Sequence, residues 1–143
     1  MLGKLDEAES LFREAADAYR AVLGPDHYWV SIALSNVALI CEARREFEAV
    51  EEIVAECLRI RRQPAQPSAW ALAEIETIQG ACLTAGGDYD GAEHLLLASL
   101  PELRKKHGEN GRSTKETRRR LAELYEAWGK PDEANKWSST SSE

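Results

Sequence analysis

No apolar run in this sequence reaches the ~20 residues that a membrane-crossing helix requires, so no such span is expected. Aromatic residues are few, at 7% of 143. β-Branched residues are sparse, while alanine, leucine, glutamate and arginine dominate. That mix favours helix throughout. Cysteine is scarce: Cys41, Cys57 and Cys82 make an odd number with no C-x-x-C pair. Reduced thiols in a cytoplasmic protein are expected, not a disulfide framework. Cations are outnumbered, 18 to 25, for a net charge of -7. This balance argues against a general nucleic-acid or anionic-membrane surface. The N-terminus is acidic and amphipathic within ten residues, so no signal peptide is expected.

Chemistry-bearing patterns are also missing. There is no nucleophile–base pair, no carboxylate pair at catalytic spacing and no kinase signature, and an enzyme is not expected. Asp88–Glu93 ("DYDGAE") starts like a calcium loop but lacks the remaining oxygen ligands and the closing glutamate. His27, His94 and His107 have no partner at metal-ligand spacing. Gly80–Gly87 ("GACLTAGG") follows no strand and is no dinucleotide loop. Neither a metal nor a cofactor is expected. The cysteines fall at apolar or small positions and read as core fillers.

What the sequence does contain is a repeat. Leu5, Phe47, Tyr89 and Pro131 are each 42 residues apart, as are Asp6, Glu48, Asp90 and Asp132. Ala8, Val50, Ala92 and Ala134 keep the same phase, and so do Leu11, Ile53, Leu95 and Trp137. Gly3, Gly87 and Gly129 share a column in which Arg45 is the exception. Ahead of each phrase, Ala38, Gly80 and Ala122 form a small-residue column, which lets two helices approach closely. Each unit therefore reads as helix A, short turn, helix B and a longer loop. Breakers mark the loops at Gly24–His27, Pro64–Ser68 and Gly108–Gly111. Helices are expected near 5–23, 28–44, 47–62, 68–85, 89–107, 113–128 and 131–137. A repeat domain over residues 1–137 and a disordered tail at 138–143 complete the reading. The fold class is an all-α, right-handed α-solenoid of antiparallel helix pairs, with about seven helices.

"NVALICEARREFEAV" (Asn36–Val50) and "RLAELYEAWGKPDEA" (Arg120–Ala134) resemble tetratricopeptide repeats. The 42-residue period and the "LGPDH" loop (Leu23–His27) resemble the kinesin light chain-like variant. "GACLTAGGDYDGAEHLLL" followed by "LYEAWGKPDEA" is similar to repeat regions attached to bacterial serine/threonine protein kinases. The resemblance covers residues 3–137 and implies a protein-interaction scaffold, of the kind found as one piece of a larger signalling protein. It implies that the A helices line a concave groove in which a protein or peptide segment lies. The exposed column would hold Ser35, Asn36, Leu39 and Glu42, then Thr77, Ile78, Ala81 and Thr84, then Arg119, Arg120, Glu123 and Glu126. An asparagine in the column of Asn36 contacts the peptide backbone in repeats of that variant. Ile78 and Arg120 hold the other two places, so a continuous asparagine ladder is absent.

Lys115–Arg120 ("KETRRR") gathers positive charge, either for an acidic partner or for pairs within the helix such as Glu116 with Arg119 or Arg120. Neither nucleic acid nor a membrane is expected as partner. Trp29, Trp70, Trp128 and Trp137 read as seam or end residues, Trp70 being the one nearest a groove-lining position. The phrase at Gly3 reads as an A–B turn whose helix A is missing. The following helix keeps an apolar face of Leu5, Leu11, Phe12 and Tyr19, and a solenoid end without a polar cap is a liability. That end is the candidate surface for packing on upstream repeats or for a homodimer through the N-terminal helix.

Overall fold

The computed structural model describes the backbone of residues 2–141 and the side chains of residues 3–138. Seven helices and no strand occur among the described residues: α1 (Leu2–Leu23), α2 (Tyr28–Ala43), α3 (Phe47–Arg61), α4 (Ala69–Ala85), α5 (Tyr89–His107), α6 (Arg112–Ala127) and α7 (Pro131–Ser141). They form two compact units, Met1–Ser68 and Ala69–Glu143.

The 42-residue phase is built into the backbone. α3, α5 and α7 start at Phe47, Tyr89 and Pro131, the positions that the repeat columns pick out. The turn ahead of each closes in the same way. At the end of α2, Glu46 N–H donates to the Cys41 carbonyl and Arg45 N–H to that of Glu42. Asp88 with Leu83 and Gly87 with Thr84 repeat the pattern, as do Lys130 with Tyr125 and Gly129 with Glu126. This paired closure uses a residue in the left-handed region, normally glycine. Gly87 and Gly129 have φ of 87° and 77°. Arg45 adopts φ 61° although it is not glycine, so the departure at this column leaves the turn unchanged. Its guanidinium lies 5.2 Å from the centre of the Phe47 ring.

In the first unit α1 packs on α2 and α2 on α3. Val30, Ala33, Val37, Ala38, Val50 and Cys57 are among the residues buried there. Gly3 does not form a turn: α1 runs through it from Leu2. Nothing lies within 4 Å of where its Cβ would stand, so the helix passes through it without a clash.

In the second unit α4 packs on α5, α5 on α6, α6 on α7, and α4 on α6. Ala92, Leu96, Leu100, Leu121, Leu124, Tyr125 and Ala134 form one core cluster, with Leu83, Tyr89, Trp128 and Trp137 against it. Gly80 is small for a reason: a Cβ there would lie 2.7 Å from Leu96 Cδ2. The α4–α5 pair can close only because that atom is absent. α7 continues to Ser141, past the expected end at 137, because no glycine or proline interrupts its serine-rich last turn. The last two residues of the expected tail, 142–143, lie outside the described residues.

Candidate functional site

In the first unit, α2 presents the most open of the expected faces. Residues 29, 32, 36 and 39 recur at spacings of three and four and share one side of the helix. Trp29 is 52% exposed and Ile32 40%. Ser35, Asn36 and Leu39 beside them are half-buried. The helix start fixes this face. His27 Nδ1 accepts from the Trp29 backbone N–H at 3.1 Å and caps the first turn. Tyr19 of α1 meets the Trp29 ring edge-on, 5.6 Å between centroids. Ser35 Oγ and Asn36 Nδ2 both donate to the Ile32 carbonyl, at 2.8 and 3.1 Å. The Asn36 carboxamide is thereby held against its own helix with its oxygen left as an acceptor. Glu42, at the far end of the expected column, is buried.

The second unit corrects the expected column. Thr77, Ile78, Ala81 and Arg120 are all buried. α4 and α6 face each other here, and the side chains between them bind one another. Thr77 Oγ1 and Thr117 Oγ1 lie 2.7 Å apart. Arg120 is 1% exposed, donates to Thr77 Oγ1 at 3.3 Å and pairs with Glu116 at 3.6 Å. Periodicity identifies a helix face but not the neighbour that covers it. Arg119 and Glu123 are exposed and paired with each other at 3.0 Å. The arginine run therefore divides into one open residue and two buried ones, since Arg118 is only 3% exposed. Trp70 is half-buried under Lys106, whose Nζ lies 4.5 Å from its ring centre.

Of the N-terminal candidates, Leu11 is 64% exposed, while Leu5, Phe12 and Tyr19 are half-buried. Val22, on the same side of α1 three turns on, is 81% exposed. α1 is fastened to the end of α2 by charge. Arg44 binds Asp6 and Glu9, and Glu9 also accepts from Arg13 at 2.8 Å. The hydrogen bond from Arg13 holds the Glu9 carboxyl below its ordinary range, against partial burial and with help from Arg44. An open cleft of about 640 Å³ adjoins this cluster between Glu9, Arg13, Cys41 and Phe47. The charges around it pair largely with one another.

The remaining polar patterns are structural. Asp88 Oδ1 caps α5 by accepting from Gly91 N–H at 3.0 Å, which is what "DYDG" does here. All three cysteines are buried thiols. Burial pushes the Cys57 thiol up to about 12, and its Sγ lies 3.6 Å from the Ser31 carbonyl. Among the described residues no group of three or more histidines, cysteines and carboxylates could hold a metal ion.

The model of the tetratricopeptide repeat matches residues 1–63 and 71–141. The chain belongs to the tetratricopeptide repeat family. The two matched stretches fall in the two compact units. Among solved structures the chain is similar to the crystal structure of BtubC (BKLC) from P. vanneervenii, with a TM-score of 0.68 and 20% identity. That likeness is one of fold, covering 98% of this chain and 56% of the other. The chain thus spans little more than half of that structure's length. No curated protein matches it. The helical hairpins of this tetratricopeptide chain keep a 42-residue period, with α3, α5 and α7 starting at Phe47, Tyr89 and Pro131. Within that frame α2, α4 and α6 are the A helices. Trp29 and Ile32 are the α2 residues that reading for motifs passed over, because a tryptophan at a helix start reads as seam. The signal available for them was their spacing from Asn36 and Leu39.

Proposed function

We propose that this chain is a non-catalytic interaction module that grips a segment of a partner protein along α2. One observation carries the reading: Trp29 and Ile32 stand exposed in line with Asn36 and Leu39. An apolar side chain of the partner would cover Trp29 and Ile32, and the Asn36 carboxamide oxygen would accept from its backbone. Tryptophan in such a place is a strong anchor because it offers large area at little entropic cost. The exposed Arg119 and Glu123 give α6 of the second unit a polar face for the same class of partner. The net charge of -7 supports a protein partner over nucleic acid or an anionic membrane. Reduced, buried thiols support a cytoplasmic setting. The resemblance to kinase-attached repeats supports a place in a larger signalling protein.

Site-specific photocrosslinking in the source cells tests this. A photoreactive residue at Ile32 is expected to capture a defined protein, and one at the exposed Glu51 of α3 is not. Capture from both positions alike, or from neither, would sink the reading. In the same assay Trp29→Ala should abolish capture without altering the circular dichroism spectrum.

A second reading rests on a separate observation, the exposure of Leu11 and Val22 on α1. That face would pack on upstream repeats or on a second copy, as a structural appendage. Phe12→Asp and Leu11→Asp would then change the assembly state, and the probe at Ile32 would capture no partner.

A further inference from the structure

Charge in this acidic chain is strongly uneven. Residues 104–120 hold eight of its 18 lysines and arginines and only two of its 25 acids. The structure gathers them at one corner of the second unit, where α5 ends, the loop at 108–111 turns and α6 begins. Arg104, Lys105, Lys106, Arg112 and Lys115 are exposed there. Among the described residues no acid pairs with Lys105, Lys106 or Lys115.

The centre of the corner is already organised around a carboxylate. Glu109 reaches Arg104 Nε at 2.5 Å with one oxygen and a terminal nitrogen of Arg118 at 2.8 Å with the other. The same Arg118 nitrogen also donates to the Glu109 carbonyl at 3.0 Å. Arg118 is 3% exposed, and its Nε has no hydrogen-bond partner. Thr114 Oγ1, one helical turn earlier on the same face, is also buried and unpartnered. A buried guanidinium with an unused donor is costly unless further acceptors reach it. Glu109 itself is more than half exposed, so the place its carboxylate fills is open to a group arriving from solvent.

We propose that this corner docks an Asp/Glu-rich segment of a partner protein, whose carboxylates replace Glu109 on Arg104 and Arg118 and meet Lys105, Lys106 and Lys115. Guanidinium forks fit carboxylates, and the lysines extend the reach along an acidic strand. A long polyanion such as nucleic acid would run onto the rest of the chain, where acids outnumber cations by 23 to 10 and repel it. A short acidic segment touches only the corner. The α2 surface plays no part in this, so failure of either proposal leaves the other standing.

The test is a nuclear magnetic resonance titration of the full ¹⁵N-labelled chain with an N-acetylated octapeptide of glutamate and aspartate. Shifts are expected at residues 104–119 and at the Trp70 indole, which Lys106 covers, and not in α2 or α3. Lys105→Glu with Lys106→Glu, both exposed and outside the core, should weaken binding by about tenfold or more. Glu109→Gln removes the resident competitor and should tighten binding by roughly threefold to tenfold. Unchanged or weaker binding by Glu109→Gln, or shifts centred elsewhere, would overturn the proposal. So would tighter binding of an octanucleotide or a phosphoserine peptide than of the Glu/Asp peptide.

Discussion

Arg120 shows how far a residue's role depends on what covers it. By sequence it is a charged groove residue. In the structure it is a buried strut between α6 and α4, held by Thr77 and Glu116. Arg120→Glu would place a second carboxylate beside Glu116 in a buried site. A loss of about 3 kcal/mol or more in unfolding free energy is expected from breaking such a pair. Urea denaturation checks this, and a fully stable variant would return Arg120 to the surface. Cys57 gives a prediction in pH. Its thiol is pushed up to about 12 by burial, whereas an unfolded thiol ionises near ~8.5. The neutral thiol therefore contributes stability in full below about pH 8.5, and that contribution is lost as pH rises from there towards 12. Cys57→Ala should lose less stability than the parent chain between pH 8 and 11. Parallel losses in the two chains would rule out this contribution.

At the scale of the element, the most regular feature is the closure of the A–B turns at residues 45, 87 and 129. Three turns 42 residues apart make the same pair of backbone hydrogen bonds. Glycine supplies the left-handed conformation at two of them, and Arg45 adopts it at the third. A side chain there costs about 1–2 kcal/mol, which the contact with Phe47 offsets in part. Arg45→Gly should raise stability by roughly 0.5–1 kcal/mol, read from the thermal or urea midpoint. A destabilised variant would mean that the stacking over Phe47 outweighs the backbone strain. The helix starts at Phe47, Tyr89 and Pro131 were legible in the sequence because caps, breakers and small-residue columns are local signals. Exposure was less legible. Asn36 and Ile78 hold equivalent places in their repeats, yet one is half-buried and the other fully buried. The difference lies in which helices pack on α2 and on α4, and tertiary packing of that kind leaves no mark at one position. The buried Arg118 was missed for the same reason, since an arginine run reads as a solvated face until a partner helix covers it.

At the scale of the whole molecule, one docking surface is proposed for each unit: an apolar and amide stripe on α2, and a cationic corner between α5 and α6. Both are proposed as recognition surfaces for protein segments. The competing claim comes from α1, whose Leu11 and Val22 are the most open large apolar side chains among the described residues. Light scattering of the purified chain across a hundredfold range of concentration separates the two possibilities most directly. With α2 as the working surface, the mass stays constant near the 15.9 kDa of one chain. A dimer that forms with concentration and disappears in Leu11→Asp or Phe12→Asp would contradict this, and would make the α1 face the working surface.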